Sequence, residues 1–196
     1  YGTGYVYLIM KEKVNGRTQG GVVRIPDFDF PTGVMRGRFH PIDGQLYACG
    51  LFGWAGNKTR PGGFYRLKHI GKPVHVPIAI NAIKEGVSLT FTHELDPETA
   101  ADPESYLVKR WNYKRTRNYG SRDYKADGSQ GRDNAKVTGV KISKDKKSVL
   151  LQIDDMKPIM QMQIEYKIDT SDGDYLSHRI QNTIHAIGNN GPFAQQ

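Results

Sequence analysis

A chain of 196 residues with 37% apolar and 24% charged side chains carries enough hydrophobic material for a packed core, which excludes wholesale disorder. No stretch reaches the roughly 18–20 unbroken apolar residues of a membrane-crossing helix, and the single cysteine excludes an internal disulfide, a thiolate zinc cluster and a CxxCH haem attachment within the chain. A net charge of +8 permits an acidic partner, but Lys and Arg are spread along the chain, many beside Asp or Glu, which disfavours nucleic-acid binding.

The sequence opens on Tyr1 with neither an initiator Met nor a signal peptide, and so reads as a processed product or a piece of a longer polypeptide. Twenty-two glycines and ten prolines set among Val, Ile, Tyr and Phe predict an all-β chain of short strands and turns. "GYVYLIMKEKV" is a β-prone run, "NGRTQGG" a turn, and "GVVRIP" a second strand closed by Pro26. After "DFDFPTG", the residues Val34, Arg36, Arg38 and His40 alternate with Met35, Gly37 and Phe39, the period of a strand. "PIDG" then turns the chain and "QLYACGL" returns as a hairpin, in which Cys49 reads as a small buried residue. "GGFYRLKHIG" supplies one more strand, so residues 1–72 predict one blade of a β-propeller. A single blade cannot bury both of its faces, and a cover is expected from blades preceding Tyr1 or from the domain that follows.

The Pro-bearing connector "GKPVHVP" (71–77) is the expected boundary. Beyond it, "GVSLTFTHEL" sets Val87, Leu89 and Phe91 against Ser88, Thr90 and Thr92, and "DPETAADPESY" is a polar loop with room for a helical turn. "YLVKRWNY" is a strand, and "KVTGVKIS" and "SVLLQID" form a hairpin around the charged tip "KDKK". "MQMQIEYKID" alternates Met160, Met162, Ile164, Tyr166 and Ile168 with polar residues, and "SHRIQNTIHAI" is a last strand. This pattern predicts an Ig-like β-sandwich over residues 73–188 and a flexible tail over 189–196.

The segments "GGVVRIP", "RGRFHPIDGQLYACGLFGW", "GGFYRL", "GKPVHVP", "RWNY", "NYGSRDY", "KPIMQMQI" and "NTIHAI" resemble, in this order, the C-terminal portion of large secreted proteins of planctomycetes and verrucomicrobia. These are described as sorbosone or glucose dehydrogenase-like propellers. The resemblance implies a six-bladed propeller similar to pyrroloquinoline-quinone sugar dehydrogenases, often joined to a c-type cytochrome domain. It also implies a secreted, periplasmic or cell-surface location. The stretch from "LTFTHELDPETAADPESYLV" to "VLLQIDDMKP" is similar to bacterial Ig-like modules of surface-layer proteins. Nothing in this chain corresponds to the family's quinone-binding or catalytic residues, which lie in upstream blades, and the haem motif is absent. The expectation is a chain without a cofactor of its own, although its parent family would carry pyrroloquinoline quinone and haem c.

Other constellations read more blandly. His75 and His185 sit at the two ends of the expected sandwich sequence and are the weak candidates for a metal pair, against a reading as strand-end histidines. Met156, Met160 and Met162 suit a soft metal, but the apolar face they continue reads as core. "DTSDGD" (169–174) offers alternating oxygens for calcium yet lacks the distal Glu of an EF-hand loop, and reads as a turn. No nucleophile or phosphate-loop motif is present.

The most informative stretch is "RWNYKRTRNYGSRDY" (110–124), in which cations and aromatics interleave. A strand continued through it would place Trp111, Tyr113, Arg115 and Arg117 on one side and Arg110, Asn112 and Lys114 on the other. Together with Tyr119, Tyr124 and the distant Trp54, these residues are the expected binding surface for the remaining propeller blades, another subunit, a c-type cytochrome or a polysaccharide. The competing reading is a self-contained loop neutralised by Asp123, Asp127 and Asp133. Three functions follow. The first is a non-catalytic docking segment of an exported propeller oxidoreductase. The second is a structural subunit assembling through exposed strand edges. The third is a carbohydrate-binding β-sandwich using Trp54 and Trp111.

Overall fold

The structure, a computed structural model, describes residues 2–53, 56–189 and 192–193. Trp54 and most of the tail expected at 189–196 lie outside the described residues. The chain is all-β, with three antiparallel sheets. It divides into two units, Tyr1–Tyr7 with Arg24–Val74 and Leu8–Val23 with His75–Gln196. The later boundary falls inside "GKPVHVP", but Leu8–Val23 does not go with the expected 1–72 sheet. The reason is burial: Met10 and Val23, 1% and 0% exposed, belong to the core cluster of the second unit.

The larger unit contains two sheets. One has the order β1 (Tyr5–Val14), β2 (Arg17–Asp29), β13 (Tyr175–Ile184), β12 (Ile159–Asp169), β8 (Tyr106–Trp111), β9 (Asp133–Ala135). The other runs β10 (Val137–Ile142), β11 (Ser148–Ile153), β7 (Gly86–Phe91), β6 (Pro77–Ile83). Their apolar faces share one cluster, in which Phe91 of β7 meets Tyr166 of β12 edge to face at 5.6 Å. Alternation builds this cluster: Met162, Ile164, Tyr166 and Ile168 are each 1% exposed or less, whereas Lys167 between the last two faces solvent. Met160 departs from that face. A bulge between Ile159 and Met162 shifts the register, so Ile159 is buried and Met160 is exposed. The helical turn expected in the polar loop is α1 (Pro97–Ala101), whose N-cap Asp96 accepts the Thr99 N–H.

The β1–β2 hairpin turns on Asn15–Gly16, both at positive φ (49° and 78°), which a two-residue turn of the primed kind requires. β2 then continues through Pro26 to Asp29 instead of ending at the proline. Gly86 opens β7 so close to β11 that a Cβ there would stand 1.8 Å from the Leu151 carbonyl oxygen.

Two polar side chains fix the hairpin within this unit. Glu12 accepts the Ala82 N–H (2.9 Å) and the Asn81 amide (3.1 Å) at β6. Gln19, 6% exposed, accepts the N–H groups of His185 (2.7 Å) and Ala186 (2.9 Å) and donates to Ala186 O (2.9 Å) and to Glu12. Such a fully bonded buried amide is costly to truncate, because its partners lose water and acceptor together. Gln19→Leu is expected to lower stability by about 2–4 kcal/mol in a denaturant titration.

The smaller unit carries β3 (Gly33–Phe39), β4 (Leu46–Leu51) and β5 (Gly62–Leu67), paired in that order. Its buried apolar residues are Phe30 and Ala48, with Phe30 packed against Phe28 (5.0 Å) and Tyr65 (5.4 Å).

In the larger unit, burial raises the hydroxyl pKa of both Tyr106 and Tyr166 well above the ordinary phenol value. The sign follows directly: the folded chain holds these protons more tightly, so their contribution is present below about pH 10 and is lost as pH rises further. Of eleven tyrosines, these two are expected to stay un-ionised at about pH 11 in an absorbance titration, and to titrate only on unfolding.

Candidate functional site

The stretch 110–124 does not continue as a strand. β8 ends at Trp111, and Asn112 pairs with Tyr124 through two backbone bonds (2.7 and 2.9 Å), which closes residues 113–123 into a loop. Tyr124 also bridges to Gln130, and a tight turn (Lys125 N–H to Ser129 O, 2.8 Å) links the two. Trp111, Tyr113, Arg115 and Arg117 therefore do not line one strand face.

Trp111 stands opposite Gln161 of β12 but is only 8% exposed. The Arg132 guanidinium carbon sits 3.8 Å above its ring, and Asp123 holds Arg132 Nε at 2.7 Å. Arg110 points to the other side of the sheet, where it donates to Asp155 O (2.8 Å) and to Asp155 Oδ2 (3.2 Å). Lys157 shares that carboxylate at 2.5 Å, and its hydrogen bond, followed by the charges of Lys157 and Arg110, holds the Asp155 pKa below the usual carboxylate range. Trp111 and Arg110 are thus structural members of the stretch.

The tip is different. Lys114 lies 4.1 Å over the Tyr124 ring and Arg115 6.0 Å over Tyr113, while Tyr119 is fully exposed. The neutralising role expected of three aspartates is filled once only, by Asp123 on Arg132. Asp127 instead accepts the N–H and hydroxyl of Ser129 (2.8 and 2.7 Å), which holds its pKa down, and Asp133 accepts the Ala126 N–H (2.8 Å). Among the described residues, Lys114, Arg115, Arg117 and Arg122 have no carboxylate partner, and Arg122 bonds the Gln130 amide oxygen at 2.8 Å. These side chains border an open cavity of about 530 Å³.

His75 and His185 do not come together. His75 bonds Asp174, just before β13, at 3.1 Å and stacks obliquely on His93 at 4.1 Å. His185 follows the other end of that ten-residue strand, roughly 30 Å away at the rise of a β-strand. No cluster of three His, Cys, Asp or Glu suited to a metal occurs among the described residues. "DTSDGD" forms the β12–β13 turn, with Gly173 N–H and the Asp174 N–H both bonded to Thr170.

A second surface was missed by sequence reasoning. Register in the small sheet places Arg36 opposite Cys49 and Cys49 opposite Phe64, and Arg38 opposite Tyr47 and Tyr47 opposite Arg66. Residues so paired share a face. Tyr47 and Phe64 stack at 5.9 Å, His40 lies 5.6 Å from Tyr47, and Phe64 is 73% exposed. Arg36 and Arg38 donate only to the neighbouring carbonyls of Met35 and Gly37, and neither they nor Arg66 forms an ion pair among the described residues. Cys49 is exposed here and is not the buried residue its apolar neighbours suggested. The strand period in "VMRGRFH" and "FYRL" signalled the alternation, but only the pairing register joins the two strands' arginines.

Comparison with family models, with curated proteins and with solved structures found no match.

Arg132→Gln should uncover Trp111. In a Trp54→Phe background, the expected result is red-shifted emission, faster acrylamide quenching and a stability loss of about 1 kcal/mol.

Proposed function

We propose that the chain is a non-catalytic docking module whose small sheet completes a larger β structure, with the larger unit as an Ig-like β-sandwich support. One observation carries this reading. In the small unit Phe30 and Ala48 are buried, whereas Phe39, Ile42, Phe52, Phe64 and Ile70 are each more than half exposed. Three strands with so small a core bury too little apolar surface to offset the entropy of ordering them. Exposed apolar residues gathered on one small element mark a contact surface.

The resemblance to sorbosone and glucose dehydrogenase-like propellers supplies the partner: neighbouring blades of an exported protein, or a c-type cytochrome carried with them. In such an arrangement β3–β5 is a propeller-blade sheet, and quinone and haem chemistry belongs to the parts it docks on. The unpaired arginines on the Tyr47–Phe64 face favour a partner that brings carboxylates to an aromatic contact. β3 and β5 are also open edges, which supports self-assembly as the second reading.

Hydrogen exchange on the isolated chain tests the first reading. Amides of β3–β5 are expected to exchange much faster than those of β12 and β13, and a hydrophobic dye is expected to bind until Phe39→Ser and Phe64→Ser are introduced. Equal protection of all three sheets without dye binding would refute it. A scattering mass that is a multiple of 22.1 kDa would shift the assignment to self-assembly.

A further inference from the structure

The loop between Asn112 and Tyr124 belongs to the larger unit, and its chemistry does not depend on what the small sheet docks against. Four cations on one short loop repel one another, and no carboxylate among the described residues relieves Lys114, Arg115, Arg117 or Arg122. Carboxylates are nevertheless close in sequence: Asp123, Asp127 and Asp133 are engaged with Arg132 and with the loop's own backbone. The charge is therefore left open by a loop that has acids available and uses them elsewhere.

The backbone beneath this charge is pinned. The Asn112–Tyr124 pair closes the loop, Ser121 Oγ accepts the Lys114 N–H (2.9 Å) and donates to Arg122 O (2.7 Å), and Thr116 Oγ1 accepts the Asn118 N–H (3.3 Å). The cavity of about 530 Å³ bordered by Lys114, Thr116, Asn118, Tyr119 and Arg122 falls in the size range of small-ligand sites. We propose that it binds an acidic polysaccharide, taking a uronate-bearing segment with the carboxylates on the loop cations.

Three features select this occupant. Hydroxyl and amide groups of Thr116 and Asn118 share the rim with the cations, a mixture that matches a ligand bearing hydroxyls beside each charge. Only one aromatic face is open: the Tyr124 ring is covered by Lys114 and the Tyr113 ring faces Arg115, whereas Tyr119 is fully exposed. A single platform seats one sugar ring, while single-stranded nucleic acid is held by several aromatics stacking successive bases. The site is concave and polar, unlike the flat, apolar-centred surface of a protein partner. Trp111, the stacking residue a carbohydrate-binding sandwich would use, is covered by Arg132 and takes no part.

The test is titration of the full chain with polygalacturonate, with neutral dextran, with polyglutamate of matched charge and with an oligothymidylate. Polygalacturonate is expected to bind about tenfold tighter than either non-sugar polyanion, dextran not at all, and binding should weaken with added salt. The double variant Arg115→Gln/Arg117→Gln should weaken polygalacturonate binding about tenfold and Tyr119→Ala about threefold, both with unchanged melting temperatures because the side chains are exposed. A control, Lys144→Gln/Lys146→Gln in the β10–β11 turn, should leave binding unchanged. Equal affinity for polyglutamate or the oligonucleotide would overturn the assignment, as would an equal loss in the control or no polygalacturonate binding below about 1 mM.

Discussion

Backbone hydrogen bonding along the outer edge of β6 is the constraint on which the larger unit depends. An edge strand presents N–H and C=O groups that must find a partner or invite a foreign strand. Here the Ala82 N–H goes to the Glu12 carboxylate, and the Ala82 carbonyl accepts the Gly188 N–H at 2.8 Å. Both partners are remote in sequence, one from the first hairpin and one from beyond the last strand. Gln19 then ties those two remote segments to each other. The two sheets around Tyr166 are therefore held at this end by polar side chains as well as by the apolar cluster. This explains why the first hairpin, which the sequence pattern assigns to the small sheet, divides its burial between units.

The chain spends its interior and its surface unevenly. The larger unit packs Leu89, Leu95, Ile164, Ile168 and Ile180 at zero exposure, while the smaller one leaves aromatic and branched side chains open to water. Its cations are uneven as well. Arg110, Arg132 and Arg179 each have a carboxylate, whereas the arginines of β3 and β5 and those at the tip of the 112–124 loop have none among the described residues. Unpaired charge on two separate surfaces, one flat and aromatic, the other concave and polar, points to two different kinds of partner for one chain.

What the sequence made legible was periodicity. Alternation located β7, β11, β12 and β13, and the Pro-bearing connector located the later boundary, because both signals are local. Pairing and bulges are not local. Nothing in "KPIMQMQI" announces the register shift that buries Ile159 and turns Met160 out. The run from Trp111 to Arg117 alternates well enough to read as a strand, yet the Asn112–Tyr124 pair, twelve residues apart, ends the strand one residue after Trp111. His75 found Asp174 and His93 instead of His185 because β13 separates its own two ends. Cys49 sits in an apolar run, but its strand has one face open, and which residues occupy that face is decided by the neighbours in the sheet.

That open position of Cys49 has a chemical corollary. The chain's single thiol lies beside Phe64 and Arg36, in the middle strand of the small sheet. Anything that settles on this face must shield the sulfur from water and from electrophiles. Nature has in effect left one alkylatable atom at the centre of the surface whose occupancy matters, so its rate of modification reads out whether that surface is bare.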